Sequence, residues 1–321
     1  MQTNFWQNLP TPFLILAPME GVTDHVFRQV VHKAGAPDIF FTEFTNVSSY
    51  ASPAGRQNAL ARLKTVETDH PIVAQIWGKN PDHFALLSRD IKNLNFQGID
   101  LNMGCPDRYV NRAGGGAAMI KTPDLALDCI KKAQDSTDLP VSVKTRLGFS
   151  SLAEYTDWIS LLLTQNLPAL TIHLRTRKEM SKVDAHFELI PDLITLRDQI
   201  SPNTKLIING DIKDKAQALK LHEQYPKIDG FMIGRGVFAN PFCFTEKSPT
   251  RQELIELLNY HLDLFDTARL SDQNRPFEPL KRFFKVYINH FPGASDLREQ
   301  LMHTKATAEV RNIISTKFLN G

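Results

Sequence analysis

The sequence predicts a (β/α)8 TIM barrel of the α/β class followed by a small all-α domain, and three observations predict it. Eight short β-rich runs alternate with amphipathic stretches as far as Gly234. Most of those runs are continuously apolar, as strands covered on both faces must be. Beyond Pro241 the β pattern stops and only helical patterning remains.

The runs are FLILA (13–17), DIFFTE (38–43), IVAQIW (72–77), IDLN (99–102), VSVKT (141–145), ALTIH (169–173), KLIIN (205–209) and DGFMIG (229–234). Between them lie stretches such as HVFRQVVHKAG, DHFALLSRDIKNL and PDLALDCIKKAQDS, opened by a capping Asp or Pro and in places closed by Gly. Strand-then-helix units in this number match a barrel of about 250 residues. An open doubly wound sheet is the rival fold, but no G-x-G-x-x-G follows the first run and no G-x-x-x-x-G-K-[ST] occurs. We assign residues 1–245 to the barrel, 246–252 to a linker and 253–321 to the helical domain. Its helical segments are ELIELLNYHLDLF, PLKRFFKVYINHF and SDLREQLMHTKATAEVRNIISTKFL.

A formal charge of +2 makes no global case for nucleic acid, so any basic surface must be local. It is local in the helical domain, where eight basic residues stand against four acidic ones from Arg275 onward. Three cysteines without a C-x-x-C spacing exclude a disulfide framework and a zinc motif and point to a reducing cytosol. The apolar run from Phe13 to Met19 is far shorter than the roughly 18 residues of a membrane span, so a cytoplasmic protein with no membrane contact is expected. No surplus apolar helix stripe marks a dimer seam, which predicts a monomer. The histidines His25, His32, His70, His83, His186, His222, His261, His290 and His303 form no metal-ligand pair at helical spacing, and no metal is expected.

Chemistry in such a barrel gathers at the C-terminal ends of the strands. There the runs carry Ala17, Pro18 and Met19, then Thr42-Glu43, Gln75, Asn102 with Cys105, Lys144 with Arg146, His173 with Arg175, Asn209-Gly210-Asp211 and Gly234-Arg235-Gly236. The last two groups follow the seventh and eighth runs, where barrels commonly hold a phosphate on backbone N–H groups. They read either as a phosphate site aided by Arg235 or as tight turns. Lys144 in a barrel mouth requires an anionic or carbonyl-rich partner, either a reduced flavin ring or a rim carboxylate such as Asp100 or Asp211. Cys105, wedged between Gly104 and Pro106, reads either as a reactive thiol or as a small buried hydrophobe, which is how we read Cys129 and Cys243.

These residues lie in the motifs APMEGVTD, NMGCP with its following glycines, VKTRLG, NGDI and IGRG. In that order, across nearly the whole barrel, they resemble the tRNA-dihydrouridine synthase family, flavoenzymes that reduce specific uridines in transfer RNA. The resemblance implies FMN in the barrel, NADPH or NADH as reductant in a separate half-reaction, and a helical domain that helps bind tRNA. It implies that Ala17, Pro18, Met19 and Gln75 lie against the isoalloxazine and that Lys144 and His173 bond its polar edge or phosphate side. Asn209, Gly210, Asp211, Gly234 and Arg235 would hold the phosphate, and Asn102 and Arg175 would face the uracil. One departure stands out. The family usually has His-Gly-Arg-Thr where this chain has His173-Leu174-Arg175-Thr176, and a turn needing positive φ at Leu174 would displace Arg175.

The resemblance also gives Cys105 a task. Hydride passes from flavin N5 to C6 of the uracil, and Cys105 supplies the proton to C5, a thiol of ordinary pKa near 8.5 being protonated at neutral pH. Gly104 would allow a sharp turn there, and Gly114 to Gly116 would form a mobile loop that closes over the site. The target D-loop uridine must be flipped out of its stack, with phosphate contacts offsetting that cost. Candidate contacts are Arg175, Arg177 and Lys178 beside the mouth, and Lys281, Arg282, Lys285, Arg298, Lys305 and Arg311 on the helical domain. A flavin reductase acting on a free small molecule, or a non-catalytic RNA-binding barrel, are the competing functions.

Overall fold

The structure, a computed structural model, describes residues 4–69, 71–289 and 291–318. His70, His290 and the two chain ends of the assigned domains lie outside the described residues. Among the described residues nine parallel strands form one sheet. They are β1 (Phe13–Leu16), β2 (Phe40–Phe41), β3 (Thr45–Asn46), β4 (Ile72–Trp77), β5 (Gly98–Met103), β6 (Val141–Arg146), β7 (Ala169–His173), β8 (Lys205–Asn209) and β9 (Gly230–Ile233). The order β1-β9-β8-β7-β6-β5-β4-β2, with Ile15 bridged to Ile39, closes the sheet into the expected barrel. The second run splits into β2 and β3, both short and both paired to β4.

Register fixes what faces inward. Side chains alternate across a strand, so one set from β4 to β8 packs outward on the helices as Ile72, Leu101, Val143, Leu170 and Ile208. The other set fills the barrel. At its N-terminal end a separate apolar cluster joins Phe13, Ile15, Val73, Ala169, Ile207 and Met232 to Trp6, which is fully buried in the short helix Phe5–Asn8. Toward the C-terminal end the lining turns polar, with Asp100 beside Ser142, Asn102 beside Lys144 and His173 beside Asn209.

The helical region begins with Arg251–Ser271, whose Thr250 and Glu253 make a capping box; the helix thus starts two residues inside the stretch assigned to the linker. The stretch PLKRFFKVYINHF is a 3-10 segment, Glu278–Phe283, running into the one-turn helix Phe284–Tyr287. Two helices, Ala294–Met302 and Thr307–Phe318, follow in place of one. Phe283 packs 4.5 Å from Phe27 of the barrel helix His25–Gly35, so a single apolar cluster runs from the barrel into this region. Among the described residues no helix is long and apolar enough to cross a membrane.

Candidate active site

At the C-terminal mouth the loops after β1, β8 and β9 surround a cavity of about 990 Å³. All the cofactor residues named from the sequence except Gln75 line it: Ala17, Pro18, Met19, Lys144, His173, Asn209, Gly210, Asp211, Gly234 and Arg235. The loops after β8 and β9 touch closely. A Cβ on Gly236 would stand 2.1 Å from the Lys213 carbonyl oxygen, so only glycine fits. Gly234 is different, since a Cβ there would meet Ala17 Cβ at 3.5 Å and the Met19 sulfur at 3.9 Å, which is ordinary contact. The protein itself has room for a methyl at Gly234, and the space left free is space for a ligand.

The cations of this cavity are arranged by neighbours. The Lys144 ammonium donates to Asn209 Oδ1 at 3.0 Å, while Asn209 Nδ2 donates to the Met232 carbonyl at 2.7 Å. Neither carboxylate offered as its partner pairs with it: Asp100 accepts from Gln75 and Ser142, and Asp211 is held by Arg175 and Arg235. Burial, reinforced by the charge of Arg146, brings Lys144 down from 10.5 to about 8. Burial and the cations Arg146, Lys144, Arg175 and Arg235 hold the His173 imidazole well below its usual pKa, hence neutral at pH 7. An Arg175 N–H points to His173 Nε2 at 3.1 Å; as guanidinium can only donate, the imidazole proton is on Nδ1. An anion or a carbonyl-rich ring would satisfy this excess of donors.

Cys105 is set by a chain of hydrogen bonds that starts in the core. Ser142 Oγ and Gln75 Nε2 donate to the Asp100 carboxylate at 2.7 and 2.8 Å, Asn102 Nδ2 donates to Gln75 Oε1 at 2.9 Å, and the Gly104 and Cys105 N–H groups donate to Asn102 Oδ1 at 3.1 and 2.9 Å. Every proton in the chain points toward Asp100, so its carboxylate dictates which way the two amides face. Arg146 Nε adds a bond to the Gly104 carbonyl at 2.7 Å. Burial pushes the Cys105 thiol up, against the pull of Arg146 and Lys144, so it is protonated at neutral pH. Burial pushes Asp100 up likewise, to about 6.

Several sequence expectations change here. Gly104 is not at a left-handed turn; its Cβ would lie 3.1 Å from the Thr145 backbone, so glycine serves close approach. Gly115 and Gly116 are buried, and a Cβ on Gly116 would lie 2.8 Å from the Cys105 carbonyl, which makes this run a packed support for the thiol loop rather than a mobile loop. Gln75 is fully buried one layer below Asn102, and both amides are committed to the chain just described. Arg175 is 2% exposed and engaged by Asp211, His173 and the Val183 carbonyl, so it braces the cavity wall instead of facing outward. Asp211, in the left-handed region at φ 51°, orients Arg175 and Arg235. Leu174 needs no positive φ; it is buried in the outer core, and the Arg175 N–H turns back to the His173 carbonyl at 2.7 Å.

A model of the dihydrouridine synthase (Dus) family matches residues 15–320. The chain belongs to the dihydrouridine synthase family. Members of this family are flavin-dependent oxidoreductases. The chain is 51% identical over 327 aligned residues to "Probable tRNA-dihydrouridine synthase 2" of Bacillus subtilis (strain 168), covering 100% of this chain and 99% of that one. It is 52% identical over 317 residues to "Probable tRNA-dihydrouridine synthase" of Staphylococcus aureus (strain Mu50 / ATCC 700699), covering 98% and 95%. Among solved structures, morphinone reductase in complex with tetrahydroNAD aligns with a TM-score of 0.51 at 14% identity, over 76% of this chain and 87% of that one, a likeness of fold.

The cations named on the helical region of this Dus family chain divide into two kinds. Lys281 is buried, bonded to the Met302 carbonyl at 2.9 Å and paired with Glu278, so it is a structural residue and not an exposed phosphate contact. Arg311 is paired with Asp263 and Asp266, and Arg298 donates to the Ile288 carbonyl. Lys285, Lys305 and Arg282 are exposed, Arg282 bonded to the Gly21 carbonyl and Lys285 lying over the Phe238 ring. Beside the mouth, Arg177 lies over Phe149 and Lys178 is exposed. Cys129 and Cys243 are buried, free and unconnected to the cavity. Sequence reasoning missed Lys213 in the cavity wall, and it placed Arg146 at a strand end without giving it the position behind the thiol loop that it takes. Lys213 follows NGDI directly and could have been found there.

Proposed function

We propose that this chain reduces the C5=C6 bond of uridine in tRNA to dihydrouridine, with FMN in the 990 Å³ cavity and NADPH or NADH as reductant. The observation that carries the proposal is the pairing of space left free at Gly234, in a cavity walled by Lys144, with a thiol, Cys105, whose N–H is held by Asn102, the residue in register with Lys144 on the next strand. Relatedness to probable tRNA-dihydrouridine synthases over the whole chain supports it.

The residues divide the work. Ala17, Pro18, Met19 and Gly234 form an apolar seat for a flat ring, and the Lys144 ammonium and the His173 Nδ1–H offer donors to its carbonyl edge. Arg235, Lys213 and the glycine-lined loops at Gly210 and Gly236 receive a phosphate. When bound, reduced flavin supplies hydride to C6 of the uracil. Cys105 Sγ–H then gives its proton to C5, and the charge left on sulfur is stabilised by Lys144 and Arg146 until solvent restores the proton. Gln75 and Asn102 keep the Cys105 backbone in place for that transfer. Exposed cations such as Lys285, Lys305 and Lys178 meet the tRNA phosphates.

The test is mass-spectrometric mapping of dihydrouridine in tRNA from cells lacking this protein, with and without its return. Loss and recovery at defined D-loop positions is the expected result. An unchanged pattern, with no other synthase covering the site, would leave a reductase of free small molecules as the better account.

A further inference from the structure

A second cavity, of about 550 Å³, opens beside the thiol loop and shares no lining residue with the first. The segment from Phe44 to Arg62 forms one wall, and Trp77, Asp107 and Tyr109 form the other. Tyr109 is 75% exposed, whereas Trp77, whose ring meets it edge-on at 6.3 Å, is 6% exposed. An aromatic ring that is three-quarters exposed and braced by a buried ring in a T-shaped contact is a stacking platform.

The charged groups of this cavity are already engaged, and one carboxylate charge is left in excess. Arg62 is paired with Glu20 at 2.7 Å, and the Asp107 carboxylate accepts the Tyr109 and Val110 N–H groups. An interior whose cation is already paired and whose excess charge is negative disfavours an anion and suits an uncharged planar group better than a phosphate. Outside it the balance differs. Arg108 and Arg112, exposed on the same short helix as Tyr109, have no ion-pair partner among the described residues. That helix is tied to the reactive loop, since Asn111 Nδ2 donates to the Cys105 carbonyl at 2.8 Å.

We propose that this cavity is a nucleobase subsite: it receives the base of a tRNA nucleotide neighbouring the target uridine, stacked on Tyr109, while Arg108 and Arg112 meet the adjoining phosphates. Aromatic stacking flanked by free cations is how proteins hold single-stranded nucleic acid. The proposal rests on the tRNA reading above, and it adds a residue that selects which uridine is presented. Folding is not at stake in the test, because the Tyr109 side chain is exposed.

The test is anisotropy titration of fluorescent tRNA with the flavin-loaded protein, comparing wild type, Tyr109→Ala and Tyr109→Phe. Base stacking predicts about tenfold weaker binding for Tyr109→Ala and a change within about twofold for Tyr109→Phe, which keeps the ring. Repeating the comparison with tRNAs made abasic at single D-loop positions identifies the base, because the Tyr109→Ala loss disappears when the stacked base is absent. Tyr109→Ala binding within about twofold of wild type, or a loss equal for every abasic tRNA, overturns the subsite. Dihydrouridine formation is measured on the same samples. Binding that responds to Tyr109 without any reduction overturns the catalytic proposal and leaves the subsite, whereas a wild-type protein that binds no tRNA overturns both.

Discussion

Arg282, in the helical region, donates to the carbonyl of Gly21, in the loop after β1, at 2.7 Å. The Gly21 N–H in turn donates to Glu43 at 2.7 Å, and Arg275 pairs with Asp24 just beyond. The peptide of Gly21, at φ 68°, is thereby clamped between the helical region and the barrel. Ala17, Pro18 and Met19, at the start of the same loop, wall the 990 Å³ cavity. We expect Arg282→Ala to weaken flavin binding about fivefold, the scale of one partly solvated charged hydrogen bond, read by quenching of flavin fluorescence. Affinity equal to wild type would show that the loop holds its shape alone.

For Cys105→Ala the expected loss of turnover on tRNA is about 10²- to 10⁴-fold, the usual contribution of a positioned general acid. Reduction of the flavin by nicotinamide, followed by its absorbance, should persist because that step needs no proton at uracil C5. Full turnover on intact tRNA would remove the thiol from the mechanism.

Gly234→Ala separates ligand space from folding. A Cβ there makes only ordinary contacts with Ala17 and Met19, so thermal stability without cofactor should stay within about 0.5 kcal/mol of wild type, as for benign substitutions. Flavin affinity should fall by at least about fivefold, since overpacking a filled site costs about 1–3 kcal/mol. Equal affinity would mean that the ligand leaves Gly234 uncovered.

The buried carboxylate at the root of the thiol loop sets a pH dependence. Asp100 is raised from 3.8 to about 6, so between those values the native state holds more protons than the unfolded chain. Its stabilising contribution is complete below pH 3.8 and is lost as pH rises through 6. Glu43, raised from 4.5 to about 7 by burial and the charges of Asp24 and Glu20, acts with the same sign. Urea denaturation from pH 4 to 7 should therefore show stability falling with pH from these two groups, and Asp100→Asn should flatten the lower part. An unaltered slope would mean that Asp100 keeps its ordinary pKa.

Lys285 and Lys281 should behave oppositely despite their proximity. Lys285→Ala should reduce the salt dependence of tRNA binding by about one unit of slope, measured from 50 to 200 mM salt. Lys281→Ala should instead lower stability by about 1–3 kcal/mol, because the Met302 carbonyl and Glu278 lose their partner.

Lys144, His173 and Asn209 were legible in the sequence because each stands at or near the end of an apolar run, where barrel geometry fixes the address of a polar residue. The roles of Gln75 and Asn102 were not. Which residues stack in one interior lane depends on strand register, and only the pairing of Gln75 with Asp100 and of Asn102 with Lys144 reveals the chain that orients Cys105. Lys281 looked like its neighbours Arg282 and Lys285, but the carbonyl that captures it comes from a separate helix. Gly104 announced itself as a turn, while the backbone it must clear, at Thr145, belongs to the next strand.

Trp6 carries a final consequence. It caps the floor of a barrel already filled by Phe13, Ile15 and Met232, so the mouth is left as the way in, and on the proposed function electron donor and electron acceptor share that doorway and must queue. On the proposed function, the nicotinamide departs before the uridine arrives, and double-reciprocal plots for the two substrates run parallel.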